Sequence, residues 1–205
     1  MAQILLVALL SLLAPVPVGG ADISSLESAK NVGLAALEEG NLDEARRRFE
    51  TVRRLAPGEA FGWANGAVVS LRGKDLGRAK ELLAEALRRA PNDSRVFAIE
   101  GTRRELTDDA AGAVEAFDKA VAIDPSDLVS RWAAARLLAE KIPGGAPRAI
   151  AGLEAALERA PSNLYLLARL SDLLRKAGET GRALQVHDRL VAVLEGVDSK
   201  LDRYL

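Results

Sequence analysis

The 205-residue chain has no cysteine, one histidine and eight aromatic residues. Without cysteine there can be no disulfide, no thiolate nucleophile and no thiolate metal site. A single histidine, His187, excludes a His-rich metal cluster and leaves a catalytic dyad or triad only one candidate base. There is no excess of either charge: 28 basic residues stand against 29 acidic ones, a net −1, with no global pull toward nucleic acid or an anionic membrane. GxSxG, HExxH, CxxC and Walker-type phosphate-loop motifs are all missing. The Gly-Gly pairs at 19–20 and 144–145 do not join a strand to a helix. Asp108-Asp109 is accounted for by a helix dipole, and Glu38-Glu39 by solvent exposure. No catalytic residue, metal or cofactor is therefore expected, and the chain is not expected to be an enzyme.

Leucine (33) and alanine (37) are what the chain does have, about a third of all residues. Together with abundant Glu and Arg they are strong helix formers, while β-branched and aromatic residues are scarce. An all-α protein follows. Residues 1–21 carry no charged side chain. Within them Ile4–Leu13 form a ten-residue apolar run, followed by Pro15, Pro17, Gly19, Gly20 and Ala21. This reads as a secretory signal peptide, although no Lys or Arg precedes the run. It is too short for a membrane span of about 20 apolar residues. The mature chain is expected to start near Asp22 and to reach a bacterial periplasm or the exterior, with an uncleaved anchor as the alternative.

Pro57, Pro91, Pro125 and Pro161 are spaced by 34, 34 and 36 residues. A fixed period in this range marks a repeat architecture. Each proline is preceded at constant offsets by an alanine (Ala45, Ala79, Ala113; Ala149), a large residue (Phe49, Leu83, Phe117; Leu153) and Val52, Ala86, Ala120 or Ala156. Ala183, His187 and Leu190 continue the series, which puts His187 at the large, partly buried position of a fifth unit. These offsets share one helix face. A preceding helix repeats as well, with Trp63, Phe97, Trp132 or Leu167, and with the small residues Gly33, Ala67, Gly101, Ala135 and Ser171. Polar turns at Gly40-Asn41, Gly73-Lys74-Asp75, Thr107-Asp108-Asp109 and Gly178-Glu179-Thr180 suit helix ends and caps.

The pattern resembles the tetratricopeptide repeat, in register over residues 26–57, 60–91, 94–125, 128–161 and 164–195. The Tyr position of the family's first helix holds Ala36, Ser70, Arg104, Leu138 and Leu174 instead. The resemblance implies a right-handed α-solenoid of about five helix pairs, with residues 198–205 starting a short capping or further helix after Glu195-Gly196. Pro143 and Pro147 in residues 141–147 predict a longer, more exposed turn in the fourth pair.

In this family the first helices line a groove that holds partners. The resemblance therefore implies a protein-interaction scaffold of the bacterial envelope, or an interaction module of a longer protein, binding a protein or peptide and no nucleic acid. Counting inward positions yields the candidate groove: Lys30, Phe61, Asn65, Arg95, Trp132, Arg136, Tyr165, Arg169 and Arg175. Asn31, Leu34, Leu37, Val68, Arg72, Ile99, Thr102, Asp172 and Lys176 accompany them. Aromatic and Arg side chains are frequent binding hot spots. The recurring Arg residues of the C-terminal half point to an acidic or carboxylate-bearing segment. Some family members clamp C-terminal carboxylates. Lys30 and Asn65 match two such positions and Arg95 loosely a third, but Leu34 and Ile99 depart from that pattern.

Overall fold

The computed structural model describes residues 20–201, and the described residues form ten α-helices and no strand. The helices are α1 (Gly20–Glu38), α2 (Leu42–Leu55), α3 (Phe61–Arg72), α4 (Leu76–Arg89), α5 (Ser94–Leu106), α6 (Ala110–Ile123), α7 (Leu128–Lys141), α8 (Ala146–Arg159), α9 (Leu164–Lys176) and α10 (Thr180–Leu201). They stack as five consecutive pairs, each packed on the next. The expected leader falls largely on residues 1–19, outside the described residues.

The alanine and large positions of the second helices build the core. Ala45, Ala79, Ala113 and Ala149 are fully buried, and so are Phe49, Val52, Ala86, Ala120, Leu153 and Ala156. Burying one such large side chain is worth about 1.5–3 kcal/mol. The small residues of the first helices make this possible. A Cβ added at Gly33 would lie 2.8 Å from the Phe49 ring, and one at Gly101 would lie 2.7 Å from Phe117. Where the small residue is alanine the large one is leucine, as in Ala67 with Leu83 and Ala135 with Leu153. In the last pair Ser171 fills the same place and donates its hydroxyl to the Ala183 carbonyl.

The helix ends follow equally local rules. Asn41, Asp75 and Asp109 each accept a backbone N–H with the side chain at the start of a second helix. Asp93, Asp127 and Asn163 do the same for α5, α7 and α9. This satisfies amides that have no partner inside the helix. One residue per turn takes a left-handed backbone: Gly40, Lys74, Asp108, Gly144 and Gly178. In four turns the amide that follows reaches back to a carbonyl five residues earlier, as from Asn41 to Ala36 and from Asp109 to Arg104.

Three expectations are corrected. The turn of the fourth pair is longer by one residue, the second extra residue being taken up by α7, but it is not more exposed, since Gly145 is buried and Ile142 half-buried. Pro147 lies inside the first turn of α8, where a missing N–H costs nothing. The close approach falls on Gly145, where an added Cβ would lie 2.2 Å from the Leu138 carbonyl oxygen. Next, α10 passes through Glu195-Gly196 without a break, so no separate helix starts at 198; residues 202–205 lie outside the described residues. Finally, His187 is exposed rather than partly buried. Its counterpart Phe49 is covered by Phe61 of the following first helix, and no described helix follows α10.

Candidate protein-binding face

The first helices α1, α3, α5, α7 and α9 carry the candidate residues. At the N-terminal end Phe61 opens α3 and packs edge-on against Phe49, with ring centroids 6.2 Å apart. It is a half-buried part of the core between the first two pairs. Lys30 lies 5.5 Å from the Phe61 ring centroid and bridges Glu59 at 3.1 Å and Glu27 at 3.2 Å. The hydrogen bond to Glu59 holds its ammonium above the usual lysine range, with burial opposing. Asn65 donates its side-chain amide to the Phe61 carbonyl at 2.9 Å. Arg72, on the same inward list, donates to the Leu37 carbonyl at the end of α1. Arg95 stands apart at the start of α5, where both its guanidinium and its backbone N–H are taken by Asp93. Phe61, Lys30 and Arg72 thus tie the first two pairs together, whereas Asn65 and the exposed Arg95 bond only within their own segments.

The C-terminal half differs. Val129, Trp132 and Tyr165 are 78%, 37% and 82% exposed. With Leu128, Asn163 and Leu166 they line an apolar depression of about 330 Å³ across the N-terminal ends of α7 and α9. The repeat register explains the exposed indole. Arg131, not Trp132, takes the position held by Trp63 in the second pair. Each of the two bonds the carbonyl of the proline six residues earlier, Trp63 to Pro57 at 3.4 Å and Arg131 to Pro125 at 3.5 Å. The aromatic residue is displaced by one position, out of the core and onto the face.

Beside the depression runs a row of alternating charge. Arg136 bridges Glu105 of α5 at 2.5 Å and Glu140 at 3.8 Å. Glu140 in turn bridges Arg169 of α9 at 2.6 Å. Asp172 lies 3.9 Å from Arg169 and 2.8 Å from both Arg175 and Lys176. The Lys176 hydrogen bond, joined by that of Arg175 and opposed by burial, keeps the Asp172 carboxyl below the usual range. Arg136 also lies over Trp132, 5.5 Å from the ring centroid. Stacking thus brings Arg136, Arg169 and Arg175 onto one surface, but each has a carboxylate partner within the chain.

Sequence reasoning missed Val129 and the acidic members Glu105 and Glu140. All three could have been found by the same counting: Val129 is the second residue of its first helix, as Phe61, Arg95 and Tyr165 are of their repeats, and Glu105 and Glu140 occupy the twelfth and thirteenth. No described helix is long and apolar enough to cross a membrane.

The family model of the tetratricopeptide repeat matches residues 36–101. No curated protein sequence matches the chain. Solved structures similar to this one include Pseudomonas aeruginosa PilF, at 19% identity and a TM-score of 0.73 over 84% of this chain and 78% of that one. MamA from Desulfovibrio magneticus RS-1 is similar at 14% identity and a TM-score of 0.68, over 84% and 96%. YrrB, described as a TPR protein with an unusual peptide-binding site, is similar at 18% identity and a TM-score of 0.62, over 80% and 84%. At these identities the likeness shows the fold.

Proposed function

The chain is a tetratricopeptide-repeat protein, and from that premise we propose that it is a non-catalytic scaffold that binds a partner protein through the first-helix face of its C-terminal half. The observation that carries this reading is the pairing of an exposed apolar depression, built on Val129, Trp132 and Tyr165, with the charged row beside it. Exposed aromatic side chains next to arginine are the residue types that anchor interfaces. The depression supplies apolar anchoring. The row fixes orientation, because Arg136 and Arg169 offer their guanidinium donors to partner carboxylates in exchange for Glu105 and Glu140. The N-terminal half contributes less, since Phe61 is packed on Phe49 and Asn65 is bonded to its own helix. The uncharged stretch 1–21 with its ten-residue apolar core supports an exported, bacterial-envelope location, which N-terminal sequencing of the secreted product checks.

The binding reading is tested by site-specific photocrosslinking. A photoreactive phenylalanine is placed at 129 or 165, and at the exposed second-helix position Glu115 as a control. Crosslinks to a protein from 129 and 165, absent from 115, are expected. Crosslinks from 115 with none from 129 or 165 would move the interface to the other face. Where a partner is captured, Arg136→Ala/Arg169→Ala is expected to weaken it at low salt, with the loss shrinking as salt rises.

A further inference from the structure

We infer that copies of this chain stack head to tail. The face that α10 leaves open takes α1 of a second copy, as each inner second helix takes the first helix that follows it. The inference concerns the two ends of the array and does not rest on the α7–α9 face.

The end helix α10 keeps the apolar columns of an inner helix. Leu184 is in register with Val114 and Ile150, and Val191 with Leu157. Val114, Ile150 and Leu157 are buried, whereas Leu184 is 58% exposed and Val191 and Leu194 are exposed beside it. The difference is the covering first helix, since no described helix follows α10. A helix that closes an array against water carries a polar outer face instead. At the other end α1 shows the matching half. Ser28, Val32 and Ala35 are exposed. The same places in α3, Gly62, Gly66 and Val69, are buried against α2.

The α2–α3 joint supplies the geometry. There Phe49 meets Phe61, and Arg53 covers Gly66, where an added Cβ would lie 2.6 Å from the guanidinium. In the joint between copies the first two places are held by His187 and Glu27, an imidazole facing a carboxylate that Lys30 of its own helix bridges from the side. The other two are held by Val191 and Val32. The shorter Val191 leaves the room that Val32 takes up. The helix lengths match as well. α3 starts at Phe61, in register with Glu27, but α1 starts at Gly20. α2 ends at Leu55, in register with Val193, but α10 runs to Leu201. Each end helix is thus about two turns longer than its counterpart at the α2–α3 joint. Neighbours joined by short turns run antiparallel, so in the same arrangement the extra turns of α10 lie alongside the extra turns of α1. The contact is heterologous, and every added copy brings a fresh open face of each kind, so the stack grows beyond two.

The test is sedimentation of the full chain over roughly 1–300 µM, a range suited to a small interface. The mean mass is expected to rise with concentration past that of a dimer. Val191→Glu and Val32→Glu each bury a charge in the joint, and each is expected to weaken association at least about tenfold. Mixed in equal amounts, the two variants are expected to form a dimer and nothing larger. Val32→Glu still offers an intact α10 and Val191→Glu an intact α1, so one joint forms and both remaining ends are blocked. Leu184→Glu, at a more exposed position of the same face, replaces Val191→Glu in the mixture if the latter folds poorly. Helical circular dichroism checks each variant. A chain that stays monomeric over the whole range overturns the inference. So does growth that stops at a dimer, association that either end variant leaves unchanged, or a mixture of folded variants that stays monomeric.

Discussion

Lys74 and Asp108 stand where the other three turns use glycine, with φ of 62° and 57°. A left-handed backbone is disfavoured for side chains with a Cβ and less so for aspartate. Lys74→Gly is therefore expected to raise unfolding stability by about 0.5–1 kcal/mol, and Asp108→Gly by less, in chemical denaturation. Two carboxylates are expected to respond to acid in opposite senses. Burial pushes Asp118 above its usual range, against the pull of Arg148 and Arg131. Above the unfolded value near 4 the folded state carries that penalty, and it disappears as pH falls. Asp118→Asn is expected to be more stable than the parent at pH 7, with the gap closing toward pH 3. Burial opposes ionisation of Glu100 too, but hydrogen bonds from Arg103 and Arg104 outweigh it and hold the carboxyl below its usual range. That contribution is present above the unfolded value and is lost as pH falls through the lower folded one. Glu100→Gln is expected to cost about 1–3 kcal/mol at pH 7 and progressively less as pH is lowered below the unfolded value, measured by unfolding at each pH.

Helix pairing is where size matching decides. Gly101→Ala pushes a methyl into the Phe117 ring and is expected to cost about 1–3 kcal/mol. Adding Phe117→Leu is expected to recover part of this, because Ala with Leu is the combination two other pairs use. Gly152→Ala in α8 is the contrast: the added methyl meets nothing, and a gain of about 0.5–1 kcal/mol is expected from helix propensity alone. Thermal melts of the four proteins check the set. At this scale the sequence was highly legible. The alanine, the large residue and the proline recur at offsets fixed by one helix face, whereas the fit of Phe49 to Gly33 and of Phe117 to Gly101 emerged only in the packed structure. The face was less legible. Counting placed Trp132, Arg136 and Arg169 on it, yet gave no sign that Glu105 and Glu140, about 30 residues away from their partners, already neutralise the arginines. His187 was misread because burial at its position depends on the helix that follows, which a periodic offset does not report.

Along the whole array the core is not uniform. Repeats three to five share one continuous apolar cluster running from Ala113 to Val186. The first two pairs have smaller clusters of their own, one around Phe49 and one around Leu83. The seam falls across α5, whose N-terminal Val96 belongs to the Leu83 cluster, whereas Gly101 of the same helix packs on Phe117 of the large one. In repeat arrays stability is roughly a sum of unit and interface contributions, so units can open separately. Hydrogen exchange is expected to show α1–α4 opening at lower free energy than α6–α9. Weakening the large cluster with Leu153→Ala is expected to cost about 2–5 kcal/mol and to erase that difference. The same seam bears on how the molecule carries load. A scaffold is tethered at its contacts, and a pull along the rod acts on every interface in series, so the weakest one yields first. Drawn out slowly, this chain is expected to lengthen in two steps, the first two pairs giving way while the α7–α9 face keeps its shape and its grip.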